Sequence, residues 1–238
     1  ELRKSVFNKK SIMHHINNDY NVKFLPKTQF EDLSFETRKI KFSNEYYSKL
    51  NENKTISYKK YGTFYINIFN KDLIITDYLG SIYKIKNLNT YLKKKDDLRP
   101  ELIHKNLNVD RVFDTLIHKD EIFISYSRRE DNCNLIGVIS ANLNRKKLDF
   151  KTFFKSKKCN DYASPGRMQF FKYKEQRGLL LSISEGSYNK PGKNIQNKES
   201  IFGKIIFLPF EKPNYSIISM GHRVIQGLYS RNDLIIAT

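Results

Sequence analysis

The sequence predicts an all-β fold, and three observations carry that prediction. Short runs of β-branched, aliphatic and aromatic residues alternate with polar turns from about residue 60 onward, a texture typical of strands. Helical signals are weak over the same range. The second strands of three successive sets begin at Asp72, Glu121 and Gly178, and the comparable strand of the fourth set begins at Asp233, at spacings of 49, 57 and 55 residues. A β-propeller typically repeats one antiparallel sheet about every 40–50 residues or slightly more. Its neighbouring sheets bury each other's faces.

A plain β-sandwich with irregular loops is the alternative, because its turn signals recur roughly every 8–12 residues. The repeated order of turn, strand, loop and strand favours the propeller. We expect residues 1–58 to form a polar, basic arm or linker with a first strand region, and residues 59–238 to form the blades. Glu1 is not an initiator Met and Thr238 ends within an apolar strand, so we expect a fragment truncated to about four blades.

The first set of predicted strands occupies residues 63–69 (TFYINIF), 72–76 (DLIIT) and 81–86 (SIYKIK). Polar turns separate them, as expected for an antiparallel meander. Residues 87–95 (NLNTYLKKK) are predicted to form a short helix between the first two sets.

The later sets repeat this texture. The second set has predicted strands at residues 111–117, 121–127 and 135–143, the third at 167–173, 178–184 and 201–208, and the fourth at 215–220, 227–229 and 233–237. A sheet of this kind cannot bury both of its faces alone, which is the physical reason for stacking such sheets around an axis.

The net charge is +18, from 43 Lys and Arg residues against 25 Asp and Glu residues. A polyanionic partner such as nucleic acid is one interpretation. The other is a solvated, lysine-rich surface, and the even spread of basic residues along the chain favours it. The aromatic-basic motifs of known nucleic-acid modules are not found, so nucleic acid ranks last among the partners considered. The fragment has no apolar run of about 18 residues and therefore no predicted membrane-spanning helix.

Two cysteines, Cys133 and Cys159, are too few and too distant for a zinc knuckle, so they form either one disulfide or two free thiols. The adjacent histidines His14 and His15 lack further ligands nearby, and we assign no metal site to them.

Several segments resemble the soluble quinoprotein glucose dehydrogenase and glucose/sorbosone dehydrogenase family of six-bladed β-propellers. They are residues 112–127 (VFDTLIHKDEIFISYS), 165–171 (PGRMQFF), 180–186 (LLSISEG), 203–206 (GKII) and 221–228 (GHRVIQGL). The similarity covers about residues 109–238 and is moderate for residues 60–86. The order of the last three motifs carries most of it.

The resemblance implies pyrroloquinoline quinone (PQQ) and Ca²⁺ as cofactors, a sugar or glycan as partner, and a periplasmic or extracytoplasmic location, where a disulfide would be stable. It also implies that Arg223 and Gln226, with Arg167 in the preceding Gly-Arg turn, lie at the cofactor. In the family, a His before that turn accepts the proton of the sugar hydroxyl. That position is Ala163 here, and alanine cannot accept a proton.

The sequence also departs from the family motif at Val224, Ile225 and Glu185, which stand where the family has Asn, Pro and Asp. Two functions therefore stay open. One is a PQQ-dependent aldose or sorbosone dehydrogenase of doubtful catalytic competence. The other is a non-catalytic propeller that binds a sugar, glycan or protein.

Overall fold

Fourteen strands and one short helix make up the part of the chain that the computed structural model describes, residues 64–93, 99–131, 133–160, 165–186, 192, 194–211, 214–231 and 234–238. The predicted arm at residues 1–58, the pair His14 and His15, and Ala163 lie outside these residues. The strands are β1 (Phe64–Phe69), β2 (Asp72–Asp77), β3 (Ile82–Ile85), β4 (Glu101–His104), β5 (Arg111–His118), β6 (Glu121–Glu130), β7 (Cys133–Asn142), β8 (Lys151–Lys155), β9 (Pro165–Tyr173), β10 (Gln176–Ile183), β11 (Lys204–Pro209), β12 (Ser216–Met220), β13 (Leu228–Arg231) and β14 (Leu234–Ala237), and the helix is α1 (Leu88–Lys93).

The strands form four antiparallel sheets that follow the chain in order. The first three each have four strands, β1 to β4, β5 to β8 and β9 to β12, paired in sequence order, and the fourth is the hairpin of β13 and β14. The all-β prediction is confirmed. The predicted second strands of the first three sets and the comparable strand of the fourth correspond to β2, β6, β10 and β14.

Three details of the predicted sets are wrong. Residues 215–220 do not open the fourth set, because β12 pairs with β11 and completes the third sheet. The first sheet also has a fourth strand, β4, so α1 lies inside that sheet's β3–β4 connection and not between two sets. The predicted strand at residues 201–208 begins only at Lys204, because Gly203 adopts a positive φ of 70° that ends the preceding loop.

The first strands of consecutive sheets lie beside each other, β1 next to β5, β5 next to β9 and β9 next to β13. Side chains tie these strands together. Tyr65 Oη donates to the carbonyl of Val112 at 2.9 Å, and Ser230 Oγ donates to the carbonyl of Phe170 at 2.9 Å. Each sheet is thus linked to the next through its first strand.

Apolar clusters fill the spaces between consecutive sheets. Alternate residues of β10 point to opposite faces, so Leu179 and Leu181 pack toward the second sheet while Leu180 packs toward the fourth. In β6, Phe123 contributes to one cluster and Ile124 to the other. The second and third sheets therefore bury both faces, whereas the sheets of a two-layer sandwich bury only one each. Continuous apolar runs in β10 and β11 follow from this double burial.

Within the described residues, no helix has the length and apolar character that a membrane span requires.

Candidate functional site

Four of the five motif segments, all but residues 112–127, meet at one end of the third sheet. This end, called the motif edge below, consists of residues 165–167, 182–186, 194–204 and 221–227. It contains the start of β9, the end of β10, the connection into β11, and the segment that joins β12 to β13. Antiparallel pairing brings these strand ends together, because β9 and β11 run opposite to β10 and β12.

Arg167 links the third sheet to the second sheet and to the β12–β13 connection. Its backbone N–H donates to Ser182 Oγ at 2.9 Å, and its Nε donates to the carbonyl of Gln226 at 3.0 Å. Its Nη1 lies 3.6 Å from Asp114 Oδ1 on β5. The side chain is still about half exposed, at 47%. Some of the guanidinium N–H groups of Arg167 therefore bond within the protein. The exposed part of the guanidinium can still contact a ligand.

Asp114 is the carboxylate partner of Arg167, and its side chain is mostly buried, with 16% exposed. Its Oδ2 accepts a hydrogen bond from the backbone N–H of Met168 at 2.8 Å, and its Oδ1 accepts one from the N–H of Thr115 at 3.0 Å. Burial raises the pKa of the Asp114 carboxyl above its ordinary value, while these hydrogen bonds and Arg167 oppose that shift. Sequence reasoning assigned no role to this residue, although an aspartate inside an apolar strand run is a signal of a buried polar contact.

Gln226 is held by its backbone and leaves its side chain exposed. Its N–H donates to the carbonyl of Thr238 at 2.8 Å, and its own carbonyl receives Arg167 Nε. The structure thus brings two of the three predicted cofactor residues, Arg167 and Gln226, into direct contact.

Arg223, the third predicted cofactor residue, extends into solvent with 80% of its side chain exposed. Its carbonyl accepts a hydrogen bond from the N–H of Glu185 at 2.9 Å, and its Nε lies 3.9 Å from Glu185 Oε2. An ion pair this long on an exposed side chain contributes little to stability. The guanidinium is consequently available for a bidentate contact with a carboxylate.

Glu185, at the position where the family has Asp, is buried, and its carboxylate also accepts a hydrogen bond from the N–H of Gly192. It therefore ties Gly192 to the end of β10. This role needs only an acceptor, and both Asp and Glu can supply one.

His222 and Ser219 form a second polar pair at this edge, with 2.8 Å between Nε2 and Oγ. Burial and the nearby Lys204 ammonium both lower the pKa of His222, which favours the neutral imidazole. Sequence reasoning missed this pair, because Ser219 was assigned only to an apolar strand.

Cys133 and Cys159 form a disulfide, with their Cα atoms 5.5 Å apart, so the structure decides between the two alternatives left open by the sequence. The bond joins the start of β7 to the chain just after β8. Backbone hydrogen bonds between Asn134 and Asn160, 2.9 and 3.1 Å long, flank it. It therefore anchors the chain that leaves β8 against the start of β7.

The donor set at the motif edge fits an anionic ligand better than a cation. Arg223 offers an exposed guanidinium, and Arg167 a half-exposed one. Among the described residues, no group of three His, Cys, Asp or Glu side chains is placed to hold a metal ion. The described side chains consequently do not form a Ca²⁺ site of the carboxylate-rich kind.

A comparison with models of known protein families found none that matches the chain, and a search of curated proteins found no match either.

Proposed function

We propose that this chain is part of a β-propeller. The support is the sequential order of four-stranded sheets, the first strands of neighbouring sheets lying side by side, and the burial of both faces of the second and third sheets. Stacking around a shared axis explains all three features together. The six-bladed form is part of the proposal and rests on the family resemblance.

We further propose that the motif edge is the ligand site of a quinoprotein of the glucose/sorbosone dehydrogenase type, with PQQ as the ligand and an aldose sugar as the substrate. One observation carries this proposal. The motif segments, far apart in sequence, hydrogen-bond to one another, through Arg167 to Gln226, Glu185 to Arg223, and His222 to Gly203.

In this proposal the exposed guanidinium of Arg223 binds a carboxylate of the quinone, and the side chain of Gln226 hydrogen-bonds to a polar group of the ligand. Arg167 is a weaker candidate for direct contact, because it also links the sheets. When bound, PQQ supplies a two-electron acceptor for the oxidation of a sugar hydroxyl.

The second candidate function is binding of a sugar, glycan or protein without oxidation. Ala163 favours it, because the residue at the family's general-base position has no group that accepts a proton. The disulfide supports a periplasmic or other extracytoplasmic location for either function, since such bonds persist in oxidising compartments.

The test begins with PQQ binding to the full-length protein, with and without Ca²⁺, measured by calorimetry. Dye reduction with a panel of aldoses follows. We expect saturable PQQ binding, and we expect Arg223→Ala to weaken it about tenfold or more, because a charge-assisted hydrogen bond contributes about 1.5–3 kcal/mol. Arg231→Ala, on an exposed arginine of β13, is the matched control and should leave the affinity unchanged.

Absence of PQQ binding by the native protein would overturn the quinoprotein proposal. Binding with dye reduction would support the dehydrogenase and require a base other than position 163. Binding of PQQ or a sugar without dye reduction would support the second candidate.

A further inference from the structure

Lys204 opens β11 and is fully buried, with 0% of its surface exposed. Its ammonium donates three hydrogen bonds to backbone carbonyls, those of Asn194 at 2.8 Å, Ile195 at 3.0 Å and Phe202 at 2.9 Å. An ammonium has three N–H donors, so all of them are used within the protein.

No carboxylate among the described residues forms an ion pair with this ammonium, and burial lowers its pKa. A buried charge is costly unless it is well hydrogen-bonded. Here the compensation comes from carbonyl groups of one connection, residues 194–203. The lysine therefore stabilises a particular shape of that connection and does not simply fill space in the core.

That connection supports the segment bearing Arg223. The carbonyl of Ile195, which accepts from Lys204, also accepts from the N–H of Gly221 at 3.0 Å. The N–H of His222 donates to the carbonyl of Gly203 at 3.1 Å. Arg223 is the next residue in the chain. Lys204 therefore influences the position of Arg223 through the hydrogen bonds of Gly221 and His222 to the connection.

We propose that Lys204 is the positioning residue of the motif edge: it holds residues 194–203 in the shape on which Gly221 and His222 dock, and thereby sets where Arg223 meets an anionic ligand. The ligand part of this inference rests on the proposed function. The backbone part does not depend on it.

The first measurement is amide hydrogen exchange of Lys204→Met in the full chain. We expect the amides of Gly221 and His222 to exchange at least about tenfold faster than in the native protein, because the acceptor carbonyls lose their fixed position. The amides of Leu179 and Leu181 should be unchanged. Lys198→Met, on an exposed lysine of the same connection, is the matched control and should change neither set.

The second measurement is PQQ affinity. Lys204→Met should weaken binding about as much as Arg223→Ala does. Ile74→Val is a control for general loss of stability, since Ile74 is fully buried in the first sheet, and it should leave the affinity unchanged. Unchanged exchange at Gly221 overturns the backbone part of the inference. Faster exchange with unchanged affinity overturns the ligand part.

Should Lys204→Met not fold, lysine acetylation of the native protein provides an independent test, read by mass spectrometry. We expect Lys204 to react at least about tenfold more slowly than Lys198, since its ammonium is buried and fully hydrogen-bonded. Equal rates would overturn the inference. If the native protein binds no PQQ, the proposed function fails, while hydrogen exchange and acetylation still decide whether Lys204 holds the connection.

Discussion

Asp114 accepts a hydrogen bond from the backbone N–H of Met168, and these two residues belong to the first strands of neighbouring sheets. The distance between Oδ2 and N is 2.8 Å. A side-chain acceptor is needed here because β5 and β9 belong to different sheets and do not pair through their backbones. The Asp114 carboxylate therefore accepts a backbone N–H from the neighbouring sheet, as backbone carbonyls accept N–H groups within one sheet.

Replacing Asp114 with Ala should lower the free energy of unfolding by about 2–3 kcal/mol, because it leaves a buried N–H without its acceptor and removes the partner of Arg167. Asp149→Ala, at an exposed site, should change it by less than about 0.5 kcal/mol. Urea denaturation of both variants measures the difference. Equal effects would show that Asp114 is not needed to join the sheets.

Much of the fold could be predicted from the sequence, since strands such as β2 and β6 have long apolar runs bounded by polar turns. The fourth strand of a sheet was harder to predict from the sequence. Glu101–His104 is short and partly exposed, so its composition does not distinguish it from a loop. The run at residues 215–220 is apolar enough to be a strand, but only its pairing with β11 shows that it closes a sheet and does not open one.

The resemblance implied that Arg167, Arg223 and Gln226 lie at a cofactor, and that role stays a prediction. The structure shows only that Arg167 and Gln226 are in contact. The sequence could not show that Arg167 also contacts Asp114 of the second sheet, because the two residues are far apart in the chain. Nor could it show Lys204 buried against carbonyls, since lysine is usually exposed.

Tyr65 provides a second test of the contact between sheets. Burial raises the pKa of its hydroxyl to about 12, and the hydroxyl donates to the carbonyl of Val112. Tyr65→Phe should lower the free energy of unfolding by about 1 kcal/mol, as expected for one hydrogen bond. Tyr229→Phe, on an exposed tyrosine, should have no measurable effect. NMR of Cζ-labelled tyrosine should show a late-ionising resonance that disappears in Tyr65→Phe and persists in Tyr229→Phe. Burial also raises the pKa of the Tyr126 hydroxyl, so a delayed resonance from Tyr126 should remain in both variants.

Alanine substitutions at two glycines of the β10–β11 connection distinguish the cost of backbone strain from the cost of steric contact. Gly192 and Gly203 both have positive φ, 89° and 70°. A Cβ at Gly192 would meet nothing within 4 Å, whereas one at Gly203 would lie 2.7 Å from the carbonyl oxygen of His222. Gly192→Ala should therefore cost about 1–2 kcal/mol from strain alone, and Gly203→Ala about 1–3 kcal/mol more. Thermal unfolding compares them, and equal losses would mean that residues 221–223 do not pack against Gly203.

The pH dependence of stability should include a contribution from His222. Its pKa is lowered in the folded state, whereas an unfolded histidine titrates near about 6.5. Below that pH the unfolded state binds more protons, so this residue favours unfolding as the pH falls. When the pH is lowered from about 7.5 to about 5.5, across the unfolded pKa of about 6.5, the free energy of unfolding of His222→Gln should fall less than that of the native protein.

Some acid sensitivity should remain in His222→Gln, because the pKa values of His104 and His118 are also lowered, chiefly by burial. Urea midpoints at the two pH values measure the effect. An identical loss in the variant and the native protein would contradict the assignment to His222.

The disulfide should contribute a large part of the stability of the second sheet. Cys133 and Cys159 are 26 residues apart, and closing a loop of that length removes unfolded-state entropy equivalent to about 3.5 kcal/mol. The double variant Cys133→Ser with Cys159→Ser should lose about that amount in urea denaturation, and reduction of the native protein should give the same loss. The flanking hydrogen bonds between Asn134 and Asn160 should persist in the folded variant, so its hydrogen exchange at these amides should stay slow. Rapid exchange there, with little change in global stability, would instead mean that the bond acts locally, by holding the chain that leaves β8 against the start of β7.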